Sequence, residues 1–121
     1  MIDYLRGVLQ VVNRLNDLRR EGIGLSIVSL AELYDGVFGA DNPRLEEQTL
    51  RNFLGPIAVV HLDETICRIF ARERVRLRNA GRLISDLDLL IGSTAVRHNL
   101  TLLTNNRRHF ERLQGLAILS A

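Results

Sequence analysis

Two short segments repeat one pattern. Ser29-Leu-Ala-Glu32 directly follows an apolar run, Ser85-Asp-Leu-Asp88 opens a long helical pattern, and in each an acid stands three residues after a serine. Spacing alone favours the capping box, in which the serine oxygen accepts from a free amide of the first turn, worth about 1 kcal/mol. Carboxylates in a first turn also suit the positive end of the helix dipole. A second chemistry is open to the same residues. Ligands of a doubly wound sheet gather beyond the carboxyl ends of its strands. Glu32 stands four residues past Val28, the apparent end of its strand, and Leu103-Thr104-Asn105-Asn106 leaves another strand with hydroxyl and amide oxygens. Such oxygens suit Mg2+ or Mn2+, hard cations that keep several waters. An ion of this kind acidifies a bound water and neutralises charge on a phosphate in line for attack. Asp86, two residues before Asp88, either assists from the same turn or faces water.

The elements that must position these groups follow from periodicity. Residues 3–20 carry Leu5, Val8, Leu9, Val12 and Leu15 at helical spacing, and Glu21-Gly22 ends that helix. The apolar, partly β-branched stretch 23–28 reads as a buried strand, and Ser29 opens a helix to about Gly36. A turn over 39–43 leads to a helix over 44–54 and a strand over 57–60. Asp63 or Glu64 starts a long helix with Ile66, Ile69, Phe70 and Leu77 on its inner face, and Gly81-Arg82 turns out of it. Ser85 caps a helix to about His98; a strand over 100–103, a short helix over 106–113 and a strand over 116–119 follow. Continuous apolar strands alternating with helices predict an α/β fold with a mainly parallel sheet covered on both faces. No repeat, low-complexity tract or linker interrupts residues 1–121, so a single domain is expected.

Composition narrows the class. Of the 121 residues 46% are hydrophobic and 25% charged, which allows a core and argues against disorder. Cys67 is the only cysteine, which excludes an intrachain disulfide or a cysteine-based zinc cluster, fits a reducing compartment, and is expected to be a small buried apolar residue. The first residues do not have the pattern of a secretory signal, and no apolar run approaches the roughly 20 residues of a membrane span; a soluble cytoplasmic protein is expected. All sixteen basic residues are arginine. A GC-rich genome is the bland account, but guanidinium groups also make forked contacts with phosphate and stack on bases.

The motifs now resemble a known family. Residues 84–96 (Ile-Ser-Asp-Leu-Asp-Leu-Leu-Ile-Gly-Ser-Thr-Ala-Val), followed by Leu100-Thr-Leu-Leu-Thr-Asn-Asn-Arg-Arg-His-Phe110, are similar to the C-terminal signature of PIN-domain proteins, nearest to the VapC-type toxins of toxin–antitoxin pairs. Ser26-Ile-Val-Ser-Leu-Ala-Glu-Leu33 resembles their second motif, and Ile2-Asp-Tyr-Leu-Arg-Gly7 the segment just after their first, so the likeness covers nearly the whole chain. The resemblance implies a three-layer α/β/α fold and an Mg2+- or Mn2+-dependent endoribonuclease that hydrolyses RNA with water as nucleophile, partnered by a cognate antitoxin and by its own copy. It places Glu32 and Asp88 at the family's second and third acidic positions and Asp86 at a frequent additional acid, all three as metal ligands. Asn106 falls where the family has an acid or a polar substitute, in the context of Thr104 and Phe110. A neutral amide there points to one tightly held ion. Arg107 and Arg108 border this site, where they either meet RNA phosphates together with Thr104 or serve as solvated surface charge, and Thr104 either positions the loop or caps the helix that follows. His109 lies in the same motif and reads as a packing or surface residue.

One departure stands out. The family begins with a short apolar strand ending in Asp-Thr or Asp-Ser, and here Met1 stands where that strand should have finished, so the first family aspartate has no counterpart; Asp3 matches a later position. Neighbouring strands would then close together or pair with another chain. This motivates an alternative: a catalytically impaired PIN-like protein acting only as an antitoxin- or self-binding module. A receiver-like signalling domain also clusters acids at strand ends, but the chain has no lysine for the basic role such domains use.

Overall fold

In a computed structural model the structure describes residues 24–55 and 57–120. The expected helix over 3–20 and Ile23 lie outside the described residues. The chain divides into two compact units, Met1–Val60 and His61–Ala121. No helix among the described residues is long and apolar enough to cross a membrane.

The first unit contains β1 (Gly24–Ser26), α1 (Ile27–Phe38), α2 (Pro43–Leu54) and β2 (Ala58–Val60). The two strands pair in parallel, Gly24 with Ala58, Leu25 with Val59 and Ser26 with Val60, as their apolar sequences predict. Helix α1 starts earlier than expected. Ser26, at φ −61° and ψ 139°, is the N-cap, and its Oγ accepts from the Val28 amide at 3.1 Å. Ile27 and Val28, read as strand from their β-branching, are therefore the first turn of α1. Ser29 is inside the helix and caps nothing, because a cap satisfied three residues upstream outweighs a weak strand propensity. Val28, Val37 and Leu50 are buried here. Asn42 caps α2, its Oδ1 accepting from the Leu45 amide at 3.3 Å, with Pro43 preset for the first helical position. On α2 the hydrogen bond from Arg51 to Glu47, four residues away at 3.1 Å, holds the guanidinium pKa above its ordinary value.

The second unit contains α3 (Glu64–Asn79), α4 (Asp86–Arg97), β3 (Thr101–Leu103), α5 (Arg107–Phe110) and β4 (Ala117–Leu119). Strands β3 and β4 are again parallel, with Thr101, Leu102 and Leu103 opposite Ala117, Ile118 and Leu119. Asp63 caps α3 by accepting from the Ile66 amide at 2.8 Å. Leu77 of α3, Ile84, Leu89 of α4 and Leu113 form the core, with Phe70 and Leu116 packed against it. Cys67 is exposed, contrary to expectation. It sits next to the fully buried Ile66, and one residue along a helix turns a side chain by about 100° away from the core. Turning out of α3, Gly81 adopts φ +66°, a conformation costly to other residues. A Cβ on Gly92 would stand 2.6 Å from Leu113 Cδ2, so the bare glycine is what lets the chain after α5 approach α4. Helix α5 is shorter than the expected 106–113. After Phe110 the bonding tightens, with the Arg112 amide bonded to the His109 carbonyl and the Leu113 amide to that of Phe110.

Two substitutions separate core from cap. Leu89→Ala, at a side chain with no exposure, should lower unfolding free energy by about 2–5 kcal/mol. Ser85→Ala removes the α4 cap and should cost about 1 kcal/mol. Denaturant titration measures both; a Leu89→Ala loss no larger than that of Ser85→Ala would refute this placement of the core.

Candidate functional site

Ser85, at φ −61° and ψ 150°, caps α4, and its Oγ accepts from the Asp88 amide at 3.2 Å. The serine half of the capping box is therefore real. The Asp88 carboxylate points elsewhere: its Oδ2 lies 3.3 Å from His109 Nδ1, and the side chain is 21% exposed. His109 Nδ1 in turn lies 2.9 Å from the Asn106 side-chain amide. The Asn106 backbone N–H donates to Thr104 Oγ1 at 3.0 Å, and the Thr104 N–H donates to the Leu119 carbonyl at 3.1 Å. A continuous polar chain thus runs from the end of β4 through Thr104, Asn106 and His109 to Asp88.

Arginine side chains brace the backbone on which this chain is strung. Arg112 Nη1 donates to the carbonyls of Arg82 at 3.2 Å and Leu83 at 3.1 Å, tying the turn after α5 to the loop that enters Ser85. Arg76 Nη2 donates to the Arg112 carbonyl at 2.6 Å, and Arg76 Nε to Glu73 at 2.9 Å. The Asp88 and His109 backbones are thereby linked by hydrogen bonds as well as through the apolar core.

The other expected site residues are distributed as follows. Asp86 shares the first turn with Asp88 but does not share its direction, since residues two apart on a helix do not face each other. Its Oδ1 takes a hydrogen bond from Arg74 Nε at 3.0 Å, and the side chain is 62% exposed. Arg107 bonds Glu111 at 2.9 Å and reaches Ser120 Oγ at 3.4 Å, so part of its donor capacity is engaged internally. Arg108 is exposed. Glu32 is exposed in the second turn of α1, in the first unit. The structure therefore joins Asp88, Asn106 and Thr104 within the second unit and sends Asp86 to Arg74. His109, read from sequence as packing or surface, is the link between them. Its signal was the Asn106-x-x-His109 spacing, which puts both side chains on one side of a short helical turn.

Among the described residues no group of three or more His, Cys, Asp or Glu side chains is placed to hold a metal ion. The second unit does present hard oxygen donors: the part-buried Asp88 carboxylate, with the Asn106 amide and Thr104 hydroxyl beyond it. Such a set fits a cation that keeps several waters and takes one or two carboxylates, as magnesium does, and not a closed four-ligand zinc cage.

Known proteins agree with this architecture. The family model for the PIN domain matches residues 6–116. The chain is 35% identical over 118 residues to the ribonuclease VapC1 of Methanocaldococcus jannaschii, covering 98% of this chain and 79% of that protein. It is 31% identical over 96 residues to the ribonuclease VapC2 of Rickettsia felis, covering 79% and 72%. Among solved structures, VapBC2 from Rickettsia felis bound to a DNA fragment from its promoter superposes with a TM-score of 0.85 at 30% identity, over 90% of this chain and 83% of that one. A match to the family model over most of its length, together with these relatives, means that the chain belongs to the PIN-domain family, among its VapC-type ribonucleases.

Proposed function

We propose that this chain is a single PIN domain acting as a metal-dependent endoribonuclease: the toxin of a toxin–antitoxin pair, with RNA as substrate, a cognate antitoxin as partner and the cytoplasm as its compartment. The relatives are ribonucleases by name, and the Rickettsia felis structure is of a VapBC pair. The observation that carries the site assignment is the Asp88 carboxylate, which leaves the first turn of α4 part-buried while its amide is held by Ser85.

In this reading Glu32 and Asp88 are the carboxylates that hold Mg2+ or Mn2+. When bound, the ion acidifies a water and offsets phosphate charge. Asp88 would be the inner ligand of the second unit. Asp86, tied to Arg74, would add negative charge beside it without the same reach. Asn106 adds no charge where an acid would, which favours one ion over two. Thr104 fixes the loop that carries Asn106. Arg108, and the part of Arg107 not engaged by Glu111, would meet RNA phosphates as forked donors. Hydrolysis by water needs no covalent enzyme intermediate, so the side chains are asked only to hold, orient and neutralise.

A graded series tests the assignment. Asp88→Asn and Glu32→Gln should each abolish magnesium-stimulated cleavage of single-stranded RNA, whereas Asp86→Asn should leave measurable activity. Undiminished cleavage by Asp88→Asn would remove the assignment. Tight antitoxin binding by a wild-type protein with no cleavage in any divalent metal would replace the enzyme with a binding module.

A further inference from the structure

The contact between His109 and Asp88 constrains the protons around it. An ionised carboxylate can only accept, so a bond from His109 Nδ1 to Asp88 Oδ2 requires that Nδ1 carry a hydrogen. The same Nδ1 lies 2.9 Å from Nδ2 of the Asn106 side-chain amide. An amide N–H aimed at that nitrogen would need a lone pair there, which the bond to Asp88 has already excluded. Both contacts are satisfied together when Asn106 presents its amide oxygen, since the two ends of an amide are interchangeable by a half-turn. The Nδ1–H is then shared between the Asn106 oxygen and Asp88 Oδ2. Asn106 is itself anchored, because its backbone N–H is bonded to Thr104 Oγ1 at 3.0 Å.

Position adds to chemistry. His109 and Asp88 are 21 residues apart in sequence and lie on different helices, α5 and α4. Apolar packing of Leu89 and Leu113, together with the Arg112 bonds to the Arg82 and Leu83 carbonyls, holds those segments against each other. The ring thus reaches Asp88 from a second rigid element. A carboxylate on a helix surface turns freely about its χ angles unless something outside the helix stops it. Here one oxygen, Oδ2, is engaged by the ring, which leaves Oδ1 as the oxygen to face an ion.

We infer that His109 is a positioning residue for Asp88, held by Asn106, which orients the carboxylate for a divalent cation; the inference rests on the metal-dependent reading above. It differs from a packing role because it depends on one N–H donor. It differs from ligation through Nδ1, which, turned to Asp88 and carrying a hydrogen, has no lone pair for a metal. Outer partners of this kind fix ligand orientation, and their loss typically costs about 10–100-fold in metal affinity.

The test uses the full chain, Mn2+ and three variants. His109→Phe keeps a flat ring without the donor, His109→Ala removes both, and His109→Asn keeps an N–H in nearly the place of Nδ1. Mn2+ binding is measured by calorimetry, RNA cleavage separately, and folding by thermal midpoint. His109→Phe and His109→Ala should weaken Mn2+ binding by about tenfold or more and slow cleavage with little change in midpoint. His109→Asn should recover most of the Mn2+ affinity. Affinity equal to wild type in His109→Phe, or no recovery in His109→Asn, would overturn the positioning role while the ribonuclease reading stood. Absence of Mn2+ binding and of cleavage in the wild type would overturn both.

Discussion

The backbone amide of Asp88 and its carboxylate are held by different partners, and the second unit is organised around that division. Ser85 takes the amide and satisfies the start of α4; His109 takes one carboxylate oxygen. In an ordinary capping box the acid would fold back onto the cap residue and be spent on helix stability. Here the serine alone does the capping, and the acid is free to meet a group from α5. That arrangement is possible only because α4 and the turn after α5 are locked together by Leu89, Leu113 and the bare backbone of Gly92.

Comparing magnitudes shows which contacts hold the fold and which shape the site. Burial of side chains such as Leu77 and Leu89 contributes about 1.5–3 kcal/mol each and sets the frame. The ion pairs Arg74–Asp86 and Arg107–Glu111 are between exposed side chains, and pairs of that sort contribute about 0–1 kcal/mol. They contribute little to stability and fix direction instead, turning Asp86 to one side of the α4 entrance and part of Arg107 toward Glu111. The Arg112 and Arg76 donors act between these extremes. They bind main-chain carbonyls of segments that carry the site, so they limit its movement without supplying charge to it.

An all-arginine basic set is consistent with this economy. Guanidinium groups suit both the clamping of carbonyls found here and the proposed contacts with phosphate, whereas an ammonium offers a point charge and no plane. Arg76 and Arg112 perform the first task in the second unit, and Arg108 remains exposed beside the proposed site for the second.

Much of this was determined by sequence alone. The apolar runs at 58–60, 101–103 and 117–119 read as strands and pair in parallel, although their residues are exposed or half-buried rather than buried as expected. Ser85 was legible as a helix cap, and of the two candidate starts Asp63 and Glu64 the structure chose Asp63, whose oxygen satisfies a free first-turn amide. The order and spacing of the motifs around Glu32, Asp88 and Asn106 carried the family, which the PIN-domain match bears out. Other features depended on competition or on distance. The start of α1 went to Ser26 because a satisfied cap outweighs two β-branched residues, and Cys67 fell outside the core because one step along a helix changes its face. The role of His109 was beyond any local rule. Its partner is 21 residues away, and only tertiary packing, which brings α5 against α4, converts an unremarkable histidine into the group that meets Asp88.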